Sequence, residues 1–167
     1  MSWEAINALS QLVSSLAVVL SVLYLALQVH RGTRVANVTA QDAAAAALRD
    51  VTKPFMENPE LGEIWRQGLE DLDKLSPADQ VRFFHATYQF LKAFETIHFH
   101  FVHGVLDKQL WEGWRELLRH YVAAPGIAHY WKLRSDLFSD RFRQFINALE
   151  PPSEHQTVGH LARQRDL

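Results

Sequence analysis

The sequence predicts an all-α protein with one N-terminal transmembrane helix, followed by a compact soluble bundle of about five helices. Two observations predict this class. The 25 residues from Ala5 to Val29 contain no charged side chain. The rest of the chain falls into segments of helical periodicity separated by turn residues, without a useful stretch of strand-like alternation. The expected domains are 1–34 for the transmembrane helix and its flanks, 35–150 for the helical domain and 151–167 for a disordered polar tail.

The uncharged N-terminal segment is long enough to cross a bilayer, because a spanning helix needs about 20 apolar residues. Arg31 and Arg34 follow it, whereas the opposite flank carries Glu4 and neither Lys nor Arg. Since Lys and Arg collect in cytoplasmic flanks, we expect an outside N-terminus and a cytoplasmic domain from Val35 onward. Two alternatives are weaker. A cleaved signal peptide would have a basic N-terminal region, and a buried core helix would be shorter.

A stripe of small and polar side chains follows the predicted span with spacings of 4, 3, 4, 3 and 4 residues. Its members are Ser10, Ser14, Ala17, Ser21, Tyr24 and Gln28, and this stripe is called the seam below. The spacing is that of a heptad seam, and small or hydroxyl side chains allow membrane helices to approach closely. The seam therefore predicts a homo-oligomeric packing face. The alternatives are serines scattered without a role, or a stripe that lines a pore.

Helix starts in the soluble part are marked by a capping residue, in two cases followed by proline. The first soluble segment, from 35 to about 55, either continues the membrane helix or begins anew after Gly32. The predicted starts of the later helices are Asn58-Pro59, Ser76-Pro77, Asp107 and Ser139 or Asp140, and Pro125-Gly126 is expected to break the helix that begins at Asp107. The longest soluble helix is expected to end at Gly104, because glycine commonly terminates helices.

Helical periodicity also predicts which faces point inward. In the longest soluble helix the expected inward stripe is Phe84, Tyr88, Leu91, Glu95, His98 and Val102. In the next helix it is Leu110, Trp114, Leu117, Leu118 and Tyr121. In the last two helical segments it comprises Tyr130, Trp131, Leu137, Phe142, Phe145, Ile146 and Leu149.

Glu95 and His98 are the residues with the clearest chemical potential. Their spacing matches the Glu-x-x-His element of di-metal centres in helical bundles. Such a centre needs a second Glu-x-x-His and two further carboxylates, and the sequence has no second copy. A buried glutamate more often binds a cation or backbone donors, because an unpaired buried charge is very costly. We therefore expect a buried polar pair of structural role, with metal binding or acid–base catalysis as the alternatives.

Composition excludes several function classes. The chain has 17 Lys and Arg against 19 Asp and Glu, a net charge of −2, so a nucleic-acid partner is not expected. It has no cysteine, which excludes disulfides, thiolate metal sites and cysteine nucleophiles. The sequence motifs of serine hydrolases, phosphate-binding loops and zinc proteases are missing. We therefore expect no catalytic residue, no cofactor and no enzymatic activity.

Seven short motifs resemble those of a known family. They are Trp3-Glu4-Ala5-Ile6, Tyr24-Leu25-Ala26-Leu27-Gln28-Val29 with Thr33-Arg34, Asn58-Pro59-Glu60-Leu61, Phe94-Glu95, Gly104-Val105-Leu106-Asp107, Trp111-Glu112-Gly113-Trp114, and Pro125-Gly126 with Trp131. Together they resemble a widespread family of uncharacterised bacterial membrane-anchored helical proteins, over roughly residues 3–148. The resemblance implies a bacterial source, single-pass insertion in the inner (cytoplasmic) membrane and no established activity. His98 and His100 depart from the family pattern.

The expected function is that of a non-enzymatic, membrane-anchored interaction or scaffold subunit. Its expected partners are the lipid bilayer and either further copies of the chain or a larger membrane complex. One alternative is a small homo-oligomeric channel in which the seam lines the pore. Another is a helical-bundle metal protein or enzyme centred on Glu95 and His98.

Overall fold

A computed structural model describes residues 3–152, apart from the side chains at positions 4–6, 8–10, 12, 33–35 and 37 of the first helix. Over this range the chain forms helices and no strand, which confirms the all-α prediction. The helices are α1 (Trp3–Glu57), α2 (Pro59–Glu70), α3 (Pro77–Val102), α4 (Lys108–Val122), α5 (Pro125–Arg134) and α6 (Asp140–Asn147), with 3₁₀ turns at Leu72–Lys74 and Ser135–Leu137. The expected tail lies outside the described residues from position 153 onward.

Contacts divide the chain into two compact units, with the boundary between Thr39 and Ala40. α1 continues through Gly32, so the first soluble segment does not begin a new helix. Within the first unit, the 20-residue segment Val13–Gly32 has a mean hydropathy of 1.8, and none of it is buried. This is one helix long and apolar enough to cross a membrane.

The predicted helix starts are confirmed. Side-chain oxygens of Asn58, Ser76, Asp107 and Ser139 accept hydrogen bonds from backbone N–H groups in the first turns of α2, α3, α4 and α6. The first N–H groups of a helix have no partner within it, and such a cap contributes about 1 kcal/mol. These short side chains therefore set four of the helix boundaries in the second unit.

The predicted end of α3 at glycine is also confirmed. Gly104 has a φ of 69°, a left-handed conformation that costs glycine little because it has no Cβ. Its N–H donates to the carbonyl oxygen of Phe101 (3.0 Å), and the N–H of Val105 donates to that of His100 (2.9 Å). This pair of bonds is a Schellman motif, which satisfies the last carbonyls of the helix.

α3 is the central helix of the second unit and packs against α2, α4 and α5. Because it has neighbours on several sides, a broad face is buried, centred on Phe83, Phe90, Phe94 and Ile97. Phe84 and Tyr88, expected on the inward stripe, are half-buried at its edge. Val102 was expected inward and is exposed, so that prediction is wrong. It lies in the last turn of the helix, immediately before the C-cap.

Three further inward predictions are wrong, at Leu110, Leu117 and Leu137. In α4, Leu110 and Leu117 are exposed. Leu118 is buried as expected, and Trp111, which the periodicity does not place inward, is buried as well. Leu137 is exposed and Phe138 is buried in its place. The cause is the 3₁₀ turn after α5, which advances each residue by more than an α-helix does.

Two glycines allow α2 and α5 to touch through their backbones. A Cβ on Gly126 would lie 1.8 Å from the backbone oxygen of Gly68. A Cβ on Gly68 would lie 2.3 Å from the ring of Phe83, which is fully buried. No side chain of any size fits at this crossing, which sets the distance between the two helices.

Candidate functional site

Glu95 joins α3 to the start of α6. Its carboxylate accepts a hydrogen bond from Lys92 Nζ (2.6 Å) and another from the backbone N–H of Ser139 (2.7 Å). Lys92 Nζ also donates to the carbonyl oxygen of Leu137 (2.9 Å). The Glu95 side chain is 17% exposed to solvent. Glu95 and Lys92 therefore hold the segment before α6 against α3.

These contacts also determine the ionisation of Glu95. Burial raises its pKa, but the hydrogen bonds from Lys92 and Ser139 outweigh burial and leave the pKa below its ordinary value of 4.5. A carboxyl group with a lowered pKa stays ionised at neutral pH. It is therefore suited to ion pairing and not to donating a proton.

His98 is buried in a cluster of aromatic rings, defined here as His98, Trp111, Phe142 and Phe145. The imidazole stacks on Phe145, with centroids 4.4 Å apart and ring planes at 17°. Trp111 and Phe142 lie at 5.5 and 5.7 Å. Burial lowers the pKa of His98 and the positive charge of Arg141 adds to this, while Glu95 acts in the opposite sense. Neutral His98 thus serves as a flat ring in the contact between α3 and α6.

The structure gives Glu95 and His98 different surroundings. Among the described residues no hydrogen bond or ion pair joins the two, although they lie one turn apart on α3. The same part of the chain contains no group of three or more His, Asp or Glu side chains arranged to hold a metal ion. Both residues nevertheless contact the region of α6, Glu95 through Ser139 and His98 through Phe145. Each contact holds this region against α3.

Replacing Glu95 with alanine is expected to lower the free energy of unfolding by about 2 kcal/mol, since hydrogen bonds to a charged group are lost together. Glu112, in an exposed pair with Arg115 (3.4 Å), offers a matched control. Glu112→Ala should change stability by less than about 0.5 kcal/mol. Thermal unfolding of the full chain followed by circular dichroism measures both. Equal melting temperatures for the two variants would contradict the role given to Glu95.

The pH dependence of this contribution follows from the lowered pKa. Because Glu95 has a lower pKa when folded, its charge stabilises the protein above pH 4.5, the ordinary value. The stabilisation is lost as the pH falls through the folded pKa. The stability difference between the wild type and Glu95→Gln should therefore be largest near neutrality and shrink below about pH 4.5.

The seam lies on the exposed surface of the first unit. Ser14, Ala17, Ser21, Tyr24 and Gln28 are all exposed, while the side chain of Ser10 lies outside the described residues. The Ser21 hydroxyl donates to the carbonyl oxygen of Ala17 within the same helix (2.7 Å). Its donor is thus satisfied without water or a second helix. Ser21 therefore offers a neighbouring helix its small size and the acceptor capacity of its hydroxyl oxygen.

The sequence did not predict an open groove that lies between the C-terminal part of α1, α2 and α3 and is called the groove below. Its volume is about 580 Å³. The non-polar lining includes Val51, Phe55, Leu61, Ile64, Trp65 and Phe83. Four polar residues also line it, namely Asp50, Arg82, His85 and Gln89. The periodicity of α3 places Arg82, His85 and Gln89 on its solvated stripe, and only packing shows that this stripe forms a wall.

The aromatic floor of the groove is formed by Phe55 and by Trp65, which packs against the core. Phe55 and Trp65 stack with centroids 4.9 Å apart and planes at 14°. Trp65 also contacts Phe83 and Phe90, at 5.4 and 5.6 Å. Gly62 allows α2 to approach the end of α1 closely, because a Cβ at this position would lie 2.8 Å from the backbone oxygen of Phe55. The floor is therefore held in place from several sides.

Comparisons with protein-family models, curated proteins and solved structures each found no match to this chain. Function is therefore inferred from the residues of the chain and their geometry.

Proposed function

We propose that this chain is a non-enzymatic, membrane-anchored interaction subunit of the bacterial cytoplasmic membrane. The observation that carries the proposal is the segment Val13–Gly32, which has a mean hydropathy of 1.8 and no buried residue. In water such a segment would exceed the few hundred Å² of contiguous apolar surface that monomeric proteins usually expose. In a bilayer the same helix is stable, because its backbone polar groups are satisfied internally.

A binding role suits the helical domain better than catalysis does. Glu95 is engaged by Lys92 and Ser139, and His98 lies among aromatic rings. Both residues thus serve packing. The open groove, in contrast, offers non-polar surface and exposed polar groups to a ligand. These features support a subunit that recognises other molecules at the membrane.

Self-association through the seam is part of the proposal. The internal hydrogen bond from Ser21 to Ala17 satisfies the hydroxyl donor within its own helix, which suits close helix–helix packing in lipid. The remaining seam residues with described side chains are exposed and available for such a contact. The seam thus supports a homo-oligomer or a place in a larger membrane complex.

The topology gives the direct test. With Arg31 and Arg34 on the C-terminal flank and only Glu4 opposite, the domain from Val35 onward should be cytoplasmic. Alkaline phosphatase is active only outside the cytoplasm, so a fusion after Glu150 should be inactive. A fluorescent protein that folds only in the cytoplasm should be bright at the same site.

A control variant moves the positive charge from the C-terminal flank of the span to its N-terminal flank. Replacing both arginines with glutamate and adding two lysines beside Glu4 should invert part of the population and activate the phosphatase fusion. An active phosphatase fusion on the unaltered chain would contradict the orientation. Complete extraction of the chain from membranes by high salt or alkaline carbonate would contradict the anchor itself.

A further inference from the structure

The groove has the dimensions and lining of a ligand site. Its volume of about 580 Å³ lies within the range of roughly 300–1,000 Å³ that small-molecule sites occupy. Such sites are mostly non-polar, with a few polar groups that orient the ligand. Here the stacked rings of Phe55 and Trp65 supply the non-polar surface, and Asp50, Arg82, His85 and Gln89 supply the polar groups.

The positive charge in the groove is already neutralised. Arg82 Nη1 donates to Glu60 Oε1 at 2.8 Å and lies 3.4 Å from Asp79 Oδ1. Two carboxylates therefore surround one guanidinium, and the local sum is negative. An anionic ligand would have to compete with both, so the groove does not favour anions.

The negative charge of Asp50, in contrast, is uncompensated. Among the described residues Asp50 has neither a hydrogen-bond nor an ion-pair partner, although it lines the groove. Lys53 lies one turn further along α1, but its ammonium contacts Glu57 (3.5 Å). Asp50 thus presents a carboxylate beside aromatic surface, the combination that attracts an organic cation.

His85 supplies a second acceptor. Its Nδ1 lies 2.8 Å from the carbonyl oxygen of Val81, so in the neutral imidazole Nδ1–H donates to that oxygen. The tautomer leaves Nε2 as an acceptor for an N–H group. The groove therefore has an uncompensated carboxylate and an imidazole acceptor, while its only guanidinium among the described lining residues is occupied.

We propose that the groove binds an amphipathic organic cation, a molecule with a non-polar, preferably aromatic, body and one ammonium group. The body packs on Phe55 and Trp65, and the ammonium pairs with Asp50. The site adds a ligand class to the proposed membrane-anchored function and does not depend on the orientation of the chain. Its test and the topology test can therefore fail separately.

The test uses the full chain in phosphatidylcholine nanodiscs, labelled with 5-fluorotryptophan. The chain has five tryptophans, of which Trp65 alone is among the described residues that line the groove. Its fluorine resonance, assigned with Trp65→Phe, reports binding at this site, and the other four report partition into lipid or general perturbation. The probes are 4-phenylbutylammonium, 4-phenylbutyrate and 4-phenylbutan-1-ol, which share the body and differ in charge.

We expect 4-phenylbutylammonium to shift the Trp65 resonance saturably, with an affinity at least about fivefold above that of either other probe. Asp50→Asn should remove this preference while leaving the fold unchanged, because Asp50 is exposed. Asp42→Asn should have no effect, since Asp42 lies about 12 Å along the same helix, beyond the screening length at physiological salt. Equal affinities for the three probes, shifts at all tryptophans alike, or no shift at Trp65 would each overturn the proposal.

Discussion

Gly126→Ala is expected to lower the free energy of unfolding by about 3 kcal/mol, a large effect for one methyl group. The added Cβ would lie 1.8 Å from the backbone oxygen of Gly68, where contacts under 3.0 Å essentially never occur. The obstacle is backbone in the last turn of α2, so no side chain can rotate away. α5 must move outward from α2, and Ile127, fully buried beside Gly126, would lose contacts.

Gly113→Ala is the matched control. Gly113 lies within α4 and a Cβ there would have no neighbour within 4 Å. Alanine is the better helix former by about 0.8–1 kcal/mol, so this variant should be slightly more stable than the wild type. The two variants add the same atom and should change the melting temperature in opposite directions.

Thermal unfolding of the full chain by circular dichroism measures this contrast. A loss of about 3 kcal/mol corresponds to a fall of roughly 10 °C for a chain of this size. If Gly126→Ala melted with the wild type, the close crossing of α2 and α5 would be incorrect. Reduced near-ultraviolet ellipticity with retained helix content would show that the packing of the aromatic core is the part that is lost.

Local signals in the sequence predicted the helix boundaries well. Asn58, Ser76, Asp107 and Ser139 act within three residues of their own position, as their hydrogen bonds show. Gly104 likewise ends α3 through bonds that span only a few residues. A capping side chain and a left-handed glycine need no distant partner, so the chain specifies them locally.

The contacts between helices could not be predicted in the same way. Glu95 accepts a hydrogen bond from Ser139, which lies 44 residues away in the sequence. No pattern near Glu95 predicts that partner. In the first turn of α4, Leu110 and Trp111 both suit a core, and only packing selects Trp111. The groove escaped prediction for a related reason. Its polar wall on α3 has the periodicity of a solvated face.

The Glu-x-x-His spacing shows how a local pattern can mislead about chemistry. Spacing places Glu95 and His98 side by side on one helix, but their function depends on what the other helices bring to them. α6 brings the ring of Phe145 to His98, and the segment before α6 brings the N–H of Ser139 to Glu95. A di-metal centre would need carboxylates at those positions.

Self-association through the seam is the second prediction of large effect. Replacing both Ser14 and Ser21 with isoleucine is expected to weaken association of the full chain in lipid by at least about tenfold. Both residues are exposed on the described helix. Within a bilayer the hydrophobic effect does not bring helices together, so association depends on close packing and hydrogen bonds.

The added side-chain volume of isoleucine, more than the loss of hydrogen bonds, should cause the weaker association. The Ser21 hydroxyl already donates to Ala17 of its own helix, so its removal costs at most a hydrogen bond that the oxygen accepts from a partner helix. Hydrogen bonds between membrane helices also average only about 0.6 kcal/mol. Isoleucine at two positions one heptad apart would instead hold the two backbones away from each other along the seam.

Leu16→Ile with Leu23→Ile is the control, because these exposed residues lie off the seam and gain no volume. Energy transfer between donor- and acceptor-labelled full chains in lipid vesicles measures association, and the mass of the detergent-solubilised protein gives the number of subunits. The seam spacing requires a left-handed crossing near +20°, so disulfide crosslinking should be strongest at introduced cysteines 3.5 residues apart on average. Equal association of the two double variants would refute the seam, and a wild type that is monomeric at all lipid ratios would leave the first unit as an anchor only.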